Sequence, residues 1–156
     1  MFRNLEITTI AYSTNEHPAY EKQRRNAGFL FDVVYRHGVR RQVWARLTGR
    51  NNELRSLSHY AIGKQTHCSA GVLSIPLDRI VGSESRTKDF DADFHPLKQH
   101  NRERWARLLA ALWSGISLPP VELIQVGNEF FVRDGHHRIS IAKATGQLEI
   151  EAKIVN

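Results

Sequence analysis

Asp134-Gly135-His136-His137-Arg138 is the stretch whose residue types and order point most directly to chemistry. It follows the β-prone run Phe130-Phe131-Val132-Arg133 and opens a helical pattern that stops at Gly146. A helix start presents backbone N–H groups without intrahelical acceptors and the positive end of the macrodipole, which together favour an anion. Gly135 lets the backbone approach that anion closely, and His137 and Arg138 add charge or hydrogen-bond donors. The pattern describes a phosphate cradle without the lysine signature of a P-loop. In it the N–H groups of Gly135 and His136 meet phosphate oxygens, His137 and Arg138 bracket the charge, and Ser140 offers a hydroxyl. A tight turn with Asp134 as a helix cap would explain the Asp-Gly pair. It would not explain two adjacent histidines followed by an arginine.

A second group of candidates lies upstream, between Ser83 and Asp93. There Glu84, Asp89 and Asp91 are candidate catalytic carboxylates. Hard oxygen ligands suit Mg2+ held largely by phosphates, so the implied cofactor is ATP or another NTP with Mg2+. Asp89 and Asp91 alternate and fall on one side of an extended segment. Arg86 is placed to reach the same phosphates. A solvated acidic loop explains these residues equally well.

The third feature is a concentration of charge. Between Glu21 and Arg50 stand eight basic residues against two acids, which accounts for the whole net charge of +6. Arg24, Arg25, Arg36, Arg40, Arg41 and Arg46 are the candidate nucleic-acid contacts, with DNA as the simplest polyanionic partner. A solvated, arginine-rich pair of helices explains the same charge. Tyr20 and Tyr35 are the aromatics that accompany it outside apolar positions, so a base-stacking surface is not indicated. The histidines show no zinc-ligand spacing, and no metal site is expected. Cys68 stands alone, which leaves no intrachain disulfide and points to a cytoplasmic setting. No apolar run approaches the ~20 residues of a membrane span, and the first residues lack a signal-peptide pattern.

The elements that must position these residues follow from periodicity and turn chemistry. Leu5 to Tyr12 is β-prone, and residues 13–18 read as a turn into a helix from Ala19 to His37 that Gly38 ends. A second helix is expected from Arg40 to Leu47, resuming from Glu53 to Tyr60, and residues 62–70 form a polar loop. Val72 to Val81 is a strand broken by Pro76. His95 to Trp113 is the strongest helical pattern, with Trp105, Leu108, Leu109, Leu112 and Trp113 on one face. Leu118-Pro119-Pro120 enforces an extended approach to a strand from Val121 to Val126. Gly127-Asn128 fits a hairpin turn, and Glu129 to Arg133 is the returning strand. A short helix from His136 to Thr145 and a last strand from Glu149 to Val155 complete the chain. With 156 residues, 41% of them hydrophobic and 24% charged, the expectation is an α/β (α+β) fold: a small mixed sheet with packed helices over residues 71–156, preceded by a basic helical extension over residues 1–70.

Residues 72–156 resemble the ParB/sulfiredoxin superfamily. Ile75-Pro76-Leu77-Asp78-Arg79-Ile80 is similar to the opening strand of ParB N-terminal domains. Leu118-Pro119-Pro120-Val121-Glu122-Leu123, with Phe130-Phe131-Val132, is similar to the hairpin of that fold. Asp134-Gly135-His136-His137-Arg138 resembles its phosphate-binding box. His136 stands where sulfiredoxins carry the reactive cysteine, so the resemblance does not extend to sulfinate repair. His136 and His137 replace the Glu-Arg of ParB proteins that bind CTP. Asp-Gly-x-His-Arg is most similar to the free-serine kinase branch, where this box holds nucleotide phosphates and a glutamate after the first strand is the catalytic base. Glu84, Asp89 and Asp91 are the positions such a base can take here, and Arg86 corresponds to an arginine that reaches phosphate in ParB relatives. The resemblance therefore implies a nucleotide-binding protein with phosphotransferase or NTPase activity. ParB-like nucleases share the box, so a DNA-binding or nuclease module is the alternative, and a non-catalytic nucleotide sensor is a third.

Overall fold

Pro18, whose ring presets a helical φ, begins a single helix of 31 residues, α1 (Pro18–Thr48), in a computed structural model that describes residues 18–60 and 71–155. The expected stop at Gly38 does not occur. Gly38 is buried inside the helix, and a Cβ there would lie 2.7 Å from the Cβ of His95 and 3.3 Å from the Pro96 carbonyl oxygen. The glycine serves a close approach of two segments and does not terminate the helix. The strand expected at Leu5–Tyr12, the turn after it and the polar loop at 62–70 lie outside the described residues.

After α1 the chain extends where a further helix was expected. β1 (Arg55–Ser56) is followed by a 3-10 turn at Leu57–His59. The pattern from Val72 to Val81, expected as one broken strand, divides into β2 (Leu73–Pro76) and β3 (Ile80–Ser83) around a 3-10 turn at Leu77–Arg79. The expected helix from His95 starts later. Residues 95–98 are extended, Gln99–Asn101 is a 3-10 turn, and α2 spans Arg102–Trp113. The hairpin forms as its turn chemistry dictates, from β4 (Val121–Val126) and β5 (Glu129–Asp134), with Gly127 at φ 62°. α3 (His136–Ala144) and β6 (Glu149–Ile154) complete the fold.

The six strands form one mixed sheet in the order β1-β3-β5-β4-β6-β2. β3 pairs parallel to β1 and β5, β4 pairs parallel to β6, and the β4–β5 and β2–β6 pairs are antiparallel. Pro76 therefore marks a change of place in the sheet, because β2 lies on one edge while β3 lies near the other. The protein is a mixed α/β fold with helices packed on its sheet.

Two apolar clusters meet at α3. Ile139 and Ala142 join the sheet residues Val121, Leu123, Phe130, Val132 and Ile154, with Phe90 and Phe94 from the loop after β3. Ile141 joins the helix cluster of Ala27 and Phe31 from α1 and Trp105, Ala106 and Leu109 from α2. Phe31 meets Trp105 edge-on at 5.7 Å, and the Trp105 indole N–H donates to Ser140 Oγ at 3.0 Å. One turn earlier on α2, Arg102 donates to both carboxylate oxygens of Asp32 at 2.9 and 3.0 Å. α1 is thus fixed to the rest of the molecule by core packing and by a two-pronged ion pair. Among the described residues, no helix is long and apolar enough to cross a membrane.

Candidate functional site

β5 delivers the chain to Gly135, which takes φ 105° and ψ 19° as the residue before α3. A Cβ at this position would meet Val121 Cγ1 at 2.5 Å, so both the backbone angle and the space require glycine. The first helical bond runs from Ile139 N–H to Gly135 O at 3.0 Å, and no side chain caps the helix. The N–H groups of His136, His137 and Arg138 are the ones such a helix start leaves without intrahelical acceptors. Asp134, expected as a possible cap, is turned to another use: its carboxylate accepts from Arg138 Nη2 at 2.5 Å.

These residues line a cleft of about 710 Å³. Its walls bring Asp134, Gly135, His136, His137 and Arg138 together with Arg86 from the loop after β3, Arg104 from α2 and Lys153 from β6. Arg138 is locked in place, since its Nη1 also donates to the carbonyls of Pro119 and Pro120. The Pro-Pro segment therefore positions the arginine as well as the strand that follows. Among the described residues, no carboxylate pairs with Arg86 or Arg104. Glu122, Asp134 and Glu151 are the carboxylates of the lining.

The two histidines do not contribute charge. Burial, with Arg86 as the next cause, lowers the pKa of His136 to about 4. Burial, with Arg104 and Arg86 behind it, lowers that of His137 to about 3. Both are neutral at pH 7, and the positive charge of the cleft comes from its arginines and Lys153. Ser83 Oγ accepts from the N–H groups of Ser85 and Arg86 at 3.2 and 3.0 Å and lies 2.7 Å from His136 Nε2. The Ser83 hydroxyl also lies 3.4 Å from Val132 O, so it links the end of β3 to β5 and to the start of α3. Phe90 stacks on His136 with an interplanar angle of 19° and meets His137 edge-on at 69°. His137 Nδ1 is buried without a hydrogen-bond partner, in a side chain that is 5% exposed and lines the cleft. A buried nitrogen left in this state has an unmet demand that a bound ligand can satisfy.

Not every expected site residue gathers here. Glu84 is held by Arg133, whose Nε and Nη2 donate to its carboxylate at 3.0 and 3.1 Å. Asp89 is half-buried with its backbone N–H and C=O bonded to Arg86 O and Leu97 N–H. Asp91 does not share a side with it. Asp91 is fully buried and accepts from the N–H groups of Asp93 and His95 and from His95 Nδ1. Although burial opposes it, the His95 hydrogen bond and charge hold its pKa below the usual carboxylate value. None of these three carboxylates is on the cleft lining. Ser140 also points elsewhere, to Trp105 and to a groove between α1 and α3. The sequence did not single out Ser83, Phe90, Arg104 and Lys153. Only Ser83 carried a local signal, as a hydroxyl at the end of a strand, two and three residues before the N–H groups it accepts from.

Along α1 the candidate nucleic-acid contacts separate into two sets. Arg24 pairs with Glu21 and Glu103, and Arg41 with Asp93. Arg25, Arg36, Arg40 and Arg46 are exposed. Tyr20 is buried in the core, whereas Phe29 and Trp44 are 67% and 64% exposed beside those arginines.

No protein-family model matches the chain, and no curated protein matches it. Among solved structures, the chain is similar to sulfiredoxin from Arabidopsis thaliana, with 20% sequence identity and a TM-score of 0.42. The match covers 55% of this chain and 85% of that one.

Proposed function

We propose that the protein binds ATP or another nucleoside triphosphate with Mg2+, and that the start of α3 holds the phosphates. The observation that carries this reading is the coincidence of three N–H groups at an uncapped helix start with two arginines, Arg86 and Arg104, that have no acidic partner among the described residues. Such an arrangement favours an oxyanion of high charge density through dipole, hydrogen bonds and fixed charge together. The cleft volume of about 710 Å³ falls within the range of small-molecule and cofactor sites.

The residues also fit the metal ion that accompanies such a ligand. Mg2+ takes one or two carboxylates and otherwise phosphate oxygens and water. With Asp134 engaged by Arg138, Glu151 is an oxygen donor that the cleft wall offers. The ion would neutralise charge on the terminal phosphates. The protein's own part would be to position them and to stabilise developing charge with Arg86, Arg104 and the α3 amides, which is most of what phosphoryl transfer requires. Phosphotransferase or NTPase activity is the chemistry consistent with that arrangement.

Calorimetry with ATP, ADP, CTP and GTP, each with Mg2+, tests the reading. We expect triphosphates to bind more tightly than diphosphates, and Arg86→Ala and Arg104→Ala each to weaken binding about tenfold. No heat with any of the four would sink the proposal.

A second reading is favoured by the outer face of α1. Lys22, Arg25, Arg36 and Arg40 recur at helical spacing with Phe29 and Trp44, and all six are exposed. Cations interleaved with aromatic rings suit a nucleic acid, DNA in the first instance. Retention on DNA that is absent or insensitive to salt would remove this reading.

A further inference from the structure

A second constellation lies outside the cleft, where α1 passes the segment before α2. His95 Nδ1 is 3.0 Å from both carboxylate oxygens of the fully buried Asp91. A carboxylate only accepts, so Nδ1 carries the proton and the Nε2 lone pair points away from Asp91. His37 Nδ1, on α1, lies 3.2 Å from that Nε2, with the rings inclined at 71°. The absence of a Cβ at neighbouring Gly38 brings α1 against His95 and fixes the spacing of the two imidazoles. Both histidines line a groove of about 420 Å³.

The geometry points to His37 and His95 as a pair of ligands for a first-row divalent metal ion of the zinc and copper class, with Asp91 as the carboxylate behind one of them. Two nitrogens bound tetrahedrally at ~2.0–2.1 Å stand about 3.3 Å apart, close to the spacing already present. A ligating histidine that passes its other N–H to a carboxylate is the usual outer support of such sites, fixing the ring and raising its basicity. Imidazole nitrogens suit zinc, copper and nickel, with copper(II) bound most strongly. Asp93 lines the same groove, but its carboxylate is engaged by Arg41. Among the described residues, no three histidine, cysteine or acidic side chains form a closed ligand set. The pair therefore supplies two positions, and water or a molecule in the groove completes the coordination. The site is open, unlike the closed sites of structural zinc. The two histidines are 58 residues apart in the chain, so no sequence spacing could reveal the pair.

The test uses the full chain, titrated with zinc chloride by calorimetry and with copper(II) chloride by electron paramagnetic resonance. One equivalent of zinc should bind. His37→Ala and His95→Ala should each weaken it at least tenfold, while His100→Ala, on an exposed residue elsewhere, should leave it unchanged. The copper spectrum should show coupling to two imidazole nitrogens in the parent and to one in either single variant. Asp91→Asn should weaken binding by about tenfold or more, with circular dichroism confirming that the variant is folded. His37 is exposed, so His37→Ala remains informative even where Asp91→Asn fails to fold. Absence of stoichiometric binding, or binding that survives both histidine substitutions, would show that the pair is a hydrogen bond only and overturn the assignment.

Discussion

The cleft at the start of α3 and the outer face of α1 are both positively charged, and they differ in how that charge is held. In the cleft, Arg138 is fixed by two carbonyls and a carboxylate, and the neighbouring histidines are buried and neutral. On α1 the cations stand in water on long stems, separated by Phe29, Val33 and Trp44. Charge in a walled site interacts more strongly and is screened less than charge on an open helix face, where salt reduces it within about 8–10 Å. The first arrangement suits a compact anion of defined shape. The second suits an extended polyanion that can slide. The same amino acid thus serves two kinds of recognition, and its surroundings decide which.

Acid should expose this difference most strongly. His136 and His137 have folded pKa values of about 4 and about 3 against an unfolded value of 6.5. Below 6.5 the unfolded chain takes up protons that the folded chain refuses, so stability is full above that pH and is lost as pH falls towards the folded values. Urea melts should show a plateau above pH 7 and a loss of several kcal/mol by about pH 4. His137→Leu, which removes a nitrogen that has no partner, should recover about half of that loss. An unchanged slope in His137→Leu would mean that the cleft histidines are not the buried neutral groups that distinguish it from α1.

Gly135→Ala attacks the cleft through its backbone. The positive φ and the contact with Val121 together should cost about 3 kcal/mol, read as a lower urea midpoint at constant m value. Those strains lie in the turn that presents the amides, so nucleotide binding should fall even at temperatures where the variant is folded. A smaller step separates the two regions by their side chains. Arg86→Ala and Arg104→Ala should each lower nucleotide affinity about tenfold, or ~1.4 kcal/mol, and leave stability nearly unchanged. If both bind like the parent, the cleft is no more specific for anions than the helix face.

Local chemistry made some of this legible in the sequence. Gly127-Asn128 fixed the hairpin, and Asp134-Gly135 followed by His-His-Arg located the helix start, because turns and helix starts are written in a few adjacent residues. Long-range pairing was not readable. Leu73–Pro76 and Ile80–Ser83 read as one strand because nothing local reveals that their partners are β6 and β5. Gly38 read as a terminator because its close approach to His95 depends on a segment far along the chain. Asp91 read as a catalytic partner of Asp89 because alternation assumes a regular strand, while the chain there bends to bury Asp91 on His95. Arg104 and Lys153 come from α2 and β6, and only folding brings them to the box.

The smallest expected effect lies within α1 itself. Arg36 and Arg40 are exposed, whereas Arg41 pairs with Asp93 and Arg24 with Glu21 and Glu103. If the outer face binds DNA, each phosphate contact contributes roughly one to the slope of log affinity against log salt. Arg36→Ala with Arg40→Ala should therefore lower that slope by about two and weaken binding less than tenfold at moderate salt. Arg24→Ala and Arg41→Ala should change it little, because those guanidinium groups already have carboxylate partners. All four substitutions should leave nucleotide affinity within about twofold, since additivity holds between sites that share no partners. A nucleotide site that weakened with the α1 arginines would mean that the two positive regions act as one continuous surface, and the distinction between fixed and open charge would not describe this protein.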